Sequence, residues 1–154
     1  RLGETYLIAA EAYGRQGLYD KAADRLNEVR KRAAYKSGEW RSNLNVINGK
    51  GEKLTSSTES KMTVKETDLS SLSLDQFVDL MLDERGRELI GEDNRWNDLN
   101  RCEKLIERFK AHNAIGGTAG NIQPYHVLRP IPQNHIDRLD PAGALEVEQN
   151  KGWY

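Results

Sequence analysis

Two short runs of apolar residues at helical spacing constrain this chain most. Tyr6, Ala9, Ala10 and Tyr13 recur on one helical face, and so do Ala22, Leu26, Val29 and Ala33. Only Gln16-Gly17-Leu18-Tyr19-Asp20 separates them. Gly17 tolerates positive φ and is expected to end the first helix. Asp20 is the expected N-cap of the second. So short a connection makes the helices antiparallel neighbours. The small residues Ala10 and Ala22 let them approach closely, and Tyr13 and Tyr19 fill the remaining space. Such a hairpin carries an apolar face that it cannot bury by itself.

The order of Ala10, Tyr13, Gly17, Tyr19 and Ala22 matches the small, aromatic, glycine, aromatic, small pattern of a tetratricopeptide repeat. An ordinary αα-hairpin is the alternative. No second copy follows downstream, so either other repeats precede Arg1 or the rest of the chain covers the hairpin. The chain has 154 residues, enough for a domain with its own core. It opens on Arg1 with no initiator Met and no signal-like run, and reads as a piece of something longer, with any signal peptide or lipid anchor expected upstream. No apolar run approaches the roughly 18 residues of a membrane span. Charged residues make up 31% of the chain, yet the formal net charge is -1, which argues against a dedicated nucleic-acid surface. The single cysteine, Cys102, excludes an internal disulfide.

Over residues 35–72 the composition shifts to Ser, Thr, Asn, Gly and Lys, and an irregular insertion is expected. Asn48-Gly49 or Lys50-Gly51 suit a hairpin turn, and Met62-Thr63-Val64 suits a short extended piece. Tyr35, Trp40 and Arg41 stand out near the start of this insertion, because an exposed aromatic can stack on a sugar or a base. The competing reading of Trp40, and the favoured one, is an anchor that ties the loop to the core.

The third helix has a clear start, with Ser73 and Gln76 as a capping box and Leu72 and Phe77 flanking the cap as an apolar staple. Its stripe runs Val78, Met81, Leu82, Leu89, and Arg85 falls on it. A buried guanidinium must be paired, and Glu88, Glu84 or Asp98 are the expected partners. Gly91 should end this helix and Asn94 or Asp93 cap the next. The spacing of Trp96, Leu99, Cys102, Ile106 and Phe109 predicts one helix to about Asn113, with a loop over Ile115–Gly120. Residues 73–113 thus read as a helix pair and 114–154 as an extended tail. Tyr125–Ile131 is expected to be extended, Gln133–Leu139 a short helical turn, and the last six residues irregular.

Glu84, Glu88 and Glu92 invite a glycosidase reading, but glycoside hydrolysis needs two carboxyl groups facing each other across the bond. Carboxylates spaced i, i+4 share one side of a helix, and with Arg85, Arg87 and Arg95 beside them an ion-pair network is the better expectation. His112, His126 and His135 lack metal-site spacing. There is no G-x-S-x-G, and Gly116-Gly117 follows no strand. Lys104, Arg108 and Lys110 read as a solvated face. No cofactor, no metal and no enzyme activity are expected.

Four segments together resemble one family. Arg1–Ala12 is similar to an R-x-x-E-x-Y-L-x-x-A-E-A helix. Leu26-Asn27-Glu28-Val29-Arg30 with Arg32-Ala33 is similar to L-N-x-V-R-x-R-A. Asp83–Leu89, then Gly91-Glu92, Arg95-Trp96 and Asp98-Leu99, resembles D-E-R-x-R-E-L…G-E…R-W-x-D-L. Leu128-Arg129-Pro130-Ile131-Pro132 with Gln149-Asn150 and Gly152 resembles L-x-P-I-P…Q-N-P-G-Y, with Lys151 in place of the proline. In this order they resemble the C-terminal part of SusD/RagB-type nutrient-binding outer-membrane lipoproteins of the Bacteroidetes. The resemblance implies an all-α fold of tetratricopeptide-like helix pairs with an irregular ligand-binding part. It implies a lipid-anchored cell-surface protein that binds glycan or peptide and serves a SusC-like TonB-dependent transporter without catalysis. For a polyhydroxyl ligand, which needs an aromatic platform and a few fixed donors and acceptors, Tyr35, Trp40, Arg41 and Asn43 are the binding candidates in this chain. A tetratricopeptide scaffold that binds only proteins is the alternative. Glu84, Arg85, Glu88, Arg95, Trp96 and Asp98 become a structural latch, in which Arg85 pairs with Glu88 and Trp96 and Leu99 pack the next helix back.

Overall fold

The computed structural model describes residues 1–40, 55–113, 121–141 and 143–154. The expected turn at Asn48-Gly49 or Lys50-Gly51 and the loop after Asn113 lie outside them. The described residues are helical with no strand, and they form two compact units, Arg1–Glu92 and Asp93–Tyr154.

In the first unit, α1 (Leu2–Arg15) and α2 (Tyr19–Ala33) form the expected hairpin. Gly17 adopts φ +76. The Leu18 N–H reaches Tyr13 O at 3.0 Å and the Gly17 N–H reaches Gly14 O at 3.0 Å, so the last carbonyls of α1 are satisfied by a glycine-dependent reversal. That turn is so tight that α2 begins earlier than expected. Leu18 stands at the N-cap and makes no side-chain cap bond, and Asp20 lies within the first turn. Asp20 therefore acts through its charge at the positive end of the helix dipole rather than as a cap.

Leu7, Ala10, Ala22 and Leu26 are fully buried, with Leu69, Phe77 and Met81 closing the same cluster. The hairpin face is thus covered by the chain's own later helices. The residues 35–72 are less irregular than expected. They supply α3 (Glu59–Met62) and α4 (Glu66–Ser70), and Leu69 of α4 is 0% exposed. The piece between them is extended, as expected of Thr63 and Val64, whereas Met62, expected to be extended with them, closes α3. Asn27 of α2 donates to Val64 O at 2.8 Å and accepts from Val64 N at 2.9 Å, which replaces the strand partner that this segment lacks.

Helix α5 (Leu74–Glu88) starts on the capping box read from sequence. The Gln76 N–H donates to Ser73 Oγ at 3.2 Å and the Ser73 N–H to Gln76 Oε1 at 2.9 Å. Phe77 and Met81 reach the hairpin core, and Phe77 meets Tyr19 edge-on at 5.9 Å between ring centroids. Gly91, at φ +80, follows the helix end.

The second unit departs more from expectation. The single helix to Asn113 is two helices, α6 (Arg95–Arg101) and α7 (Leu105–His112). Asn94 takes the N-cap position of α6 without a side-chain bond. Glu103 adopts φ 58, and Lys104 N–H returns to Leu99 O at 2.8 Å. This reversal lets both Leu99 and Leu105 bury, at 9% and 5% exposure, where a straight helix would place them six positions apart and on different faces.

The tail begins with a 3-10 turn, Pro124–Val127, and becomes extended at Leu128. A short helix, α8 (Gln133–Ile136), follows as expected, and α9 (Leu145–Glu148) was not foreseen. The closing residues have no repeat pattern but a definite job. Gln149 accepts from the Ile131 N–H at 2.7 Å and donates to Ile131 O at 2.9 Å. Asn150 donates to Arg129 O at 2.7 Å, and the Trp153 indole to Leu128 O at 3.0 Å. Asn100 of α6 holds Val127 O at 2.7 Å. Side chains thus replace a β-partner for a proline-interrupted strand. Replacing Gln149 by alanine is expected to cost about 1–2 kcal/mol by leaving both Ile131 backbone groups unmatched. Chemical denaturation gives the loss, and faster hydrogen exchange at the Ile131 N–H locates it.

Candidate functional site

The charged block from Glu84 to Arg101 falls into both units. In the first, Glu84 is the hub. Arg30 donates to its Oε2 from Nε at 3.1 Å and Nη2 at 2.7 Å, and Arg87 from Nη2 at 2.7 Å. Arg30 also donates to Met62 O at 3.1 Å, so one guanidinium ties α2, α3 and α5 together. Burial pushes the Glu84 carboxyl up, but the hydrogen bonds and charges of Arg30 and Arg87 outweigh it and hold the group below its ordinary value of 4.5. A general acid needs the opposite shift. Glu84 is thus held ionised at neutral pH.

The partner expected for Arg85 is corrected. Arg85 is 5% exposed, as its place on the stripe requires, and its Nη2 lies 3.1 Å from Glu4 Oε1. The Glu88 carboxylate instead accepts from Arg32 Nη2, at 2.7 Å to both oxygens. Position 85 reaches Glu4 of α1 and position 84 reaches α2, while the Glu88 carboxylate pairs with α2 and lies beside Gly3 of α1. Helical spacing on α5 admits both arrangements, and only the packing of three helices selects one. Glu4, Arg30 and Arg32 were therefore absent from the expected latch, although each sits in a segment that carries the family resemblance.

In the second unit, Asp98 is 5% exposed and bonds Arg101 Nε at 3.3 Å. Arg95 is exposed at the start of α6. Trp96 is half-buried beneath Arg129, whose guanidinium carbon lies 4.7 Å from a Trp96 ring centroid. Its stacking partner thus comes from the tail. Among the described residues no group of three or more His, Cys, Asp and Glu side chains is placed to hold a metal.

The four candidate ligand residues separate. Tyr35 is 8% exposed, so its ring is core rather than platform. Its N–H donates to Thr58 Oγ1 at 2.9 Å, and the Thr58 N–H returns to Tyr35 O at 3.0 Å, which closes the base of the insertion. Trp40, the expected anchor, is 89% exposed. Tyr35 does the anchoring that the sequence reading gave to Trp40. Arg41 and Asn43 lie outside the described residues. In the same unit a polar concavity of about 510 Å³ is lined by Asn27, Lys31, Ser57, Glu59, Ser60 and Thr63. Its hydroxyls, ammonium and carboxylate supply both donors and acceptors.

The second unit holds an apolar cavity of about 350 Å³ between α6, α7 and the tail, walled by Trp96, Leu105, Phe109, Ile122, Leu128 and Trp153. Tyr125, His126 and Trp153 form a mutual ring cluster beside it, with centroids 4.4 to 5.4 Å apart. The sequence reading missed this cluster because its members lie on an irregular tail with no periodicity.

Paired helices, ion pairs between them and surface concavities define an all-α protein of the helical-hairpin class. The family model described as the SusD family matches residues 1–153, and the chain belongs to that family. It is similar to SusD-like protein P25 of Formosa agariphila, at 30% identity over 160 aligned residues that cover 99% of this chain and 24% of that protein. The chain thus spans about a quarter of that relative's length. No solved structure matches it.

Proposed function

We propose that this chain forms the C-terminal portion, residues 1–154, of a SusD/RagB-type protein that captures glycan or peptide nutrients at the outer surface of the cell, without catalysis, and passes them to a SusC-like TonB-dependent transporter. Family membership over residues 1–153 is the observation that carries this reading. The depressed carboxyl of Glu84 speaks against a general acid at this position, and its charge is committed to Arg30 and Arg87. No helix among the described residues is long and apolar enough to cross a membrane. Trp40, Arg41 and Asn43 are the proposed contacts within this chain, with the exposed Trp40 indole as a stacking platform and Tyr35 as its support.

The test is a titration of the full-length protein with a panel of oligosaccharides and peptides, read by calorimetry. Binding without product formation supports the reading, and turnover overturns it. Trp40→Ala is expected to weaken binding about tenfold, which corresponds to ~1.4 kcal/mol, while leaving the thermal midpoint unchanged. A wild-type affinity that survives this substitution removes Trp40 from the site. Co-purification with a TonB-dependent transporter checks the partner. Flat titrations with every sugar and peptide, alongside capture of other proteins, would favour the tetratricopeptide-scaffold alternative.

A further inference from the structure

We propose that the cavity of the second unit is a binding site for a small aromatic carboxylate. This goes beyond nutrient capture at Trp40 and does not rest on it. The cavity is about 350 Å³, within the range of small-molecule sites and large enough for a bicyclic ring. Trp96, Phe109 and Trp153 are each only half-buried, so ring faces and edges remain open to a planar apolar body. The wall is fixed rather than collapsed, because Asn100, Gln149, Asn150 and Trp153 hold the backbone of residues 127–131 by five hydrogen bonds of 2.7 to 3.0 Å.

The polar lining selects the other end of the ligand. Among the described lining residues there is no carboxylate. Arg129 lies over Trp96 at the exposed side, and among the described residues no carboxylate is paired with it. His126 Nδ1 lies 2.7 Å from the Gln123 N–H and 3.2 Å from its carbonyl; the shorter contact makes Nδ1 the acceptor and leaves the ring proton on Nε2 as a donor. A guanidinium, an imidazole N–H and the Asn121 amide give a rim rich in donors around an apolar interior. A neutral sugar would leave most of its hydroxyls without partners there. An aromatic acid places its ring against the walls and its carboxylate beside Arg129, where a charge-assisted bond forms.

The probe is 2-naphthoate, titrated into the full-length protein and followed by tryptophan fluorescence and by saturation-transfer NMR, with 2-naphthylmethanol as the neutral control. Naphthoate is expected to bind with higher affinity than the alcohol. Arg129→Gln should reduce naphthoate affinity about tenfold and leave the alcohol unchanged. Leu128→Trp, at a position 53% exposed on the cavity wall, should fill the space and abolish binding of both. No naphthoate binding to the wild type, equal affinity for acid and alcohol, or indifference to both substitutions would each overturn the proposal. A glycan titration of the same preparation is a separate measurement, so failure here and failure of the nutrient reading are distinguishable.

Discussion

Replacing Gly14 by alanine is expected to destabilise the protein by about 2 kcal/mol, although alanine is the better helix former by about 1 kcal/mol. Gly14 lies on the buried face of α1, and a methyl group built there would overlap the ring carbons of Phe77. The ring has no room to retreat. Phe77 is 0% exposed and rests edge-on against Tyr19. Overpacking of a closed core costs about 1–3 kcal/mol, and a rigid ring in direct overlap belongs at the upper end. Set against the gain in helix propensity, the net loss is about 2 kcal/mol. Phe77→Leu removes the obstructing carbons at its own cavity cost, and in that background Gly14→Ala should become neutral or stabilising. Urea denaturation of the four proteins in this cycle gives the coupling. Additivity to within about 0.5 kcal/mol would show that the Gly14–Phe77 contact is not what fixes the close approach of α1 and α5.

Glu84→Ala is expected to cost about 3–5 kcal/mol, because it leaves the largely buried Arg30 without its counter-charge. The same site predicts a pH dependence. In the folded protein the Glu84 carboxyl is held below its ordinary 4.5, despite the opposing effect of burial, by Arg30 and Arg87. The folded state therefore binds this proton more weakly than the unfolded state. The stabilisation is present above the unfolded value and drains away as pH falls through the folded one. Wild-type stability should decline below about pH 5, and Glu84→Gln should show a shallower decline from a lower starting point. Parallel acid titrations of the two proteins by circular dichroism, in low and high salt, check this. Identical slopes would mean that other carboxylates govern acid unfolding. Arg32→Ala is the useful contrast, since its bond to Glu88 is solvent-exposed and surface pairs are worth about 0–1 kcal/mol.

How far the sequence could be read depended on the range of the interaction. The Ser73–Gln76 box, the reversal at Gly17 and the burial of Arg85 are consequences of residues three to five positions apart, and each appears where the spacing put it. The break at Glu103 was not legible. The apolar spacing continues through it, and only the gain from burying Leu105 against its own unit pays for a non-glycine residue at positive φ. The candidate ligand site divided for a similar reason. Tyr35 and Trp40 are both aromatic residues near one loop start, and sequence had no means to decide which one Thr58 would draw inward.

By itself, the sequence determined the helical hairpin, the start of α5 and the family, because local periodicity, capping chemistry and motif order are properties of the chain. Tertiary structure alone decided which charges meet between helices. Arg85 goes to Glu4, Glu88 to Arg32, and Glu84 to Arg30 across 54 residues. It also set Gly14 against the Phe77 ring and turned a patternless tail into the wall of a cavity. A side chain's own spacing sets the direction in which it points, but its partner is whatever the packing of other helices brings to that face.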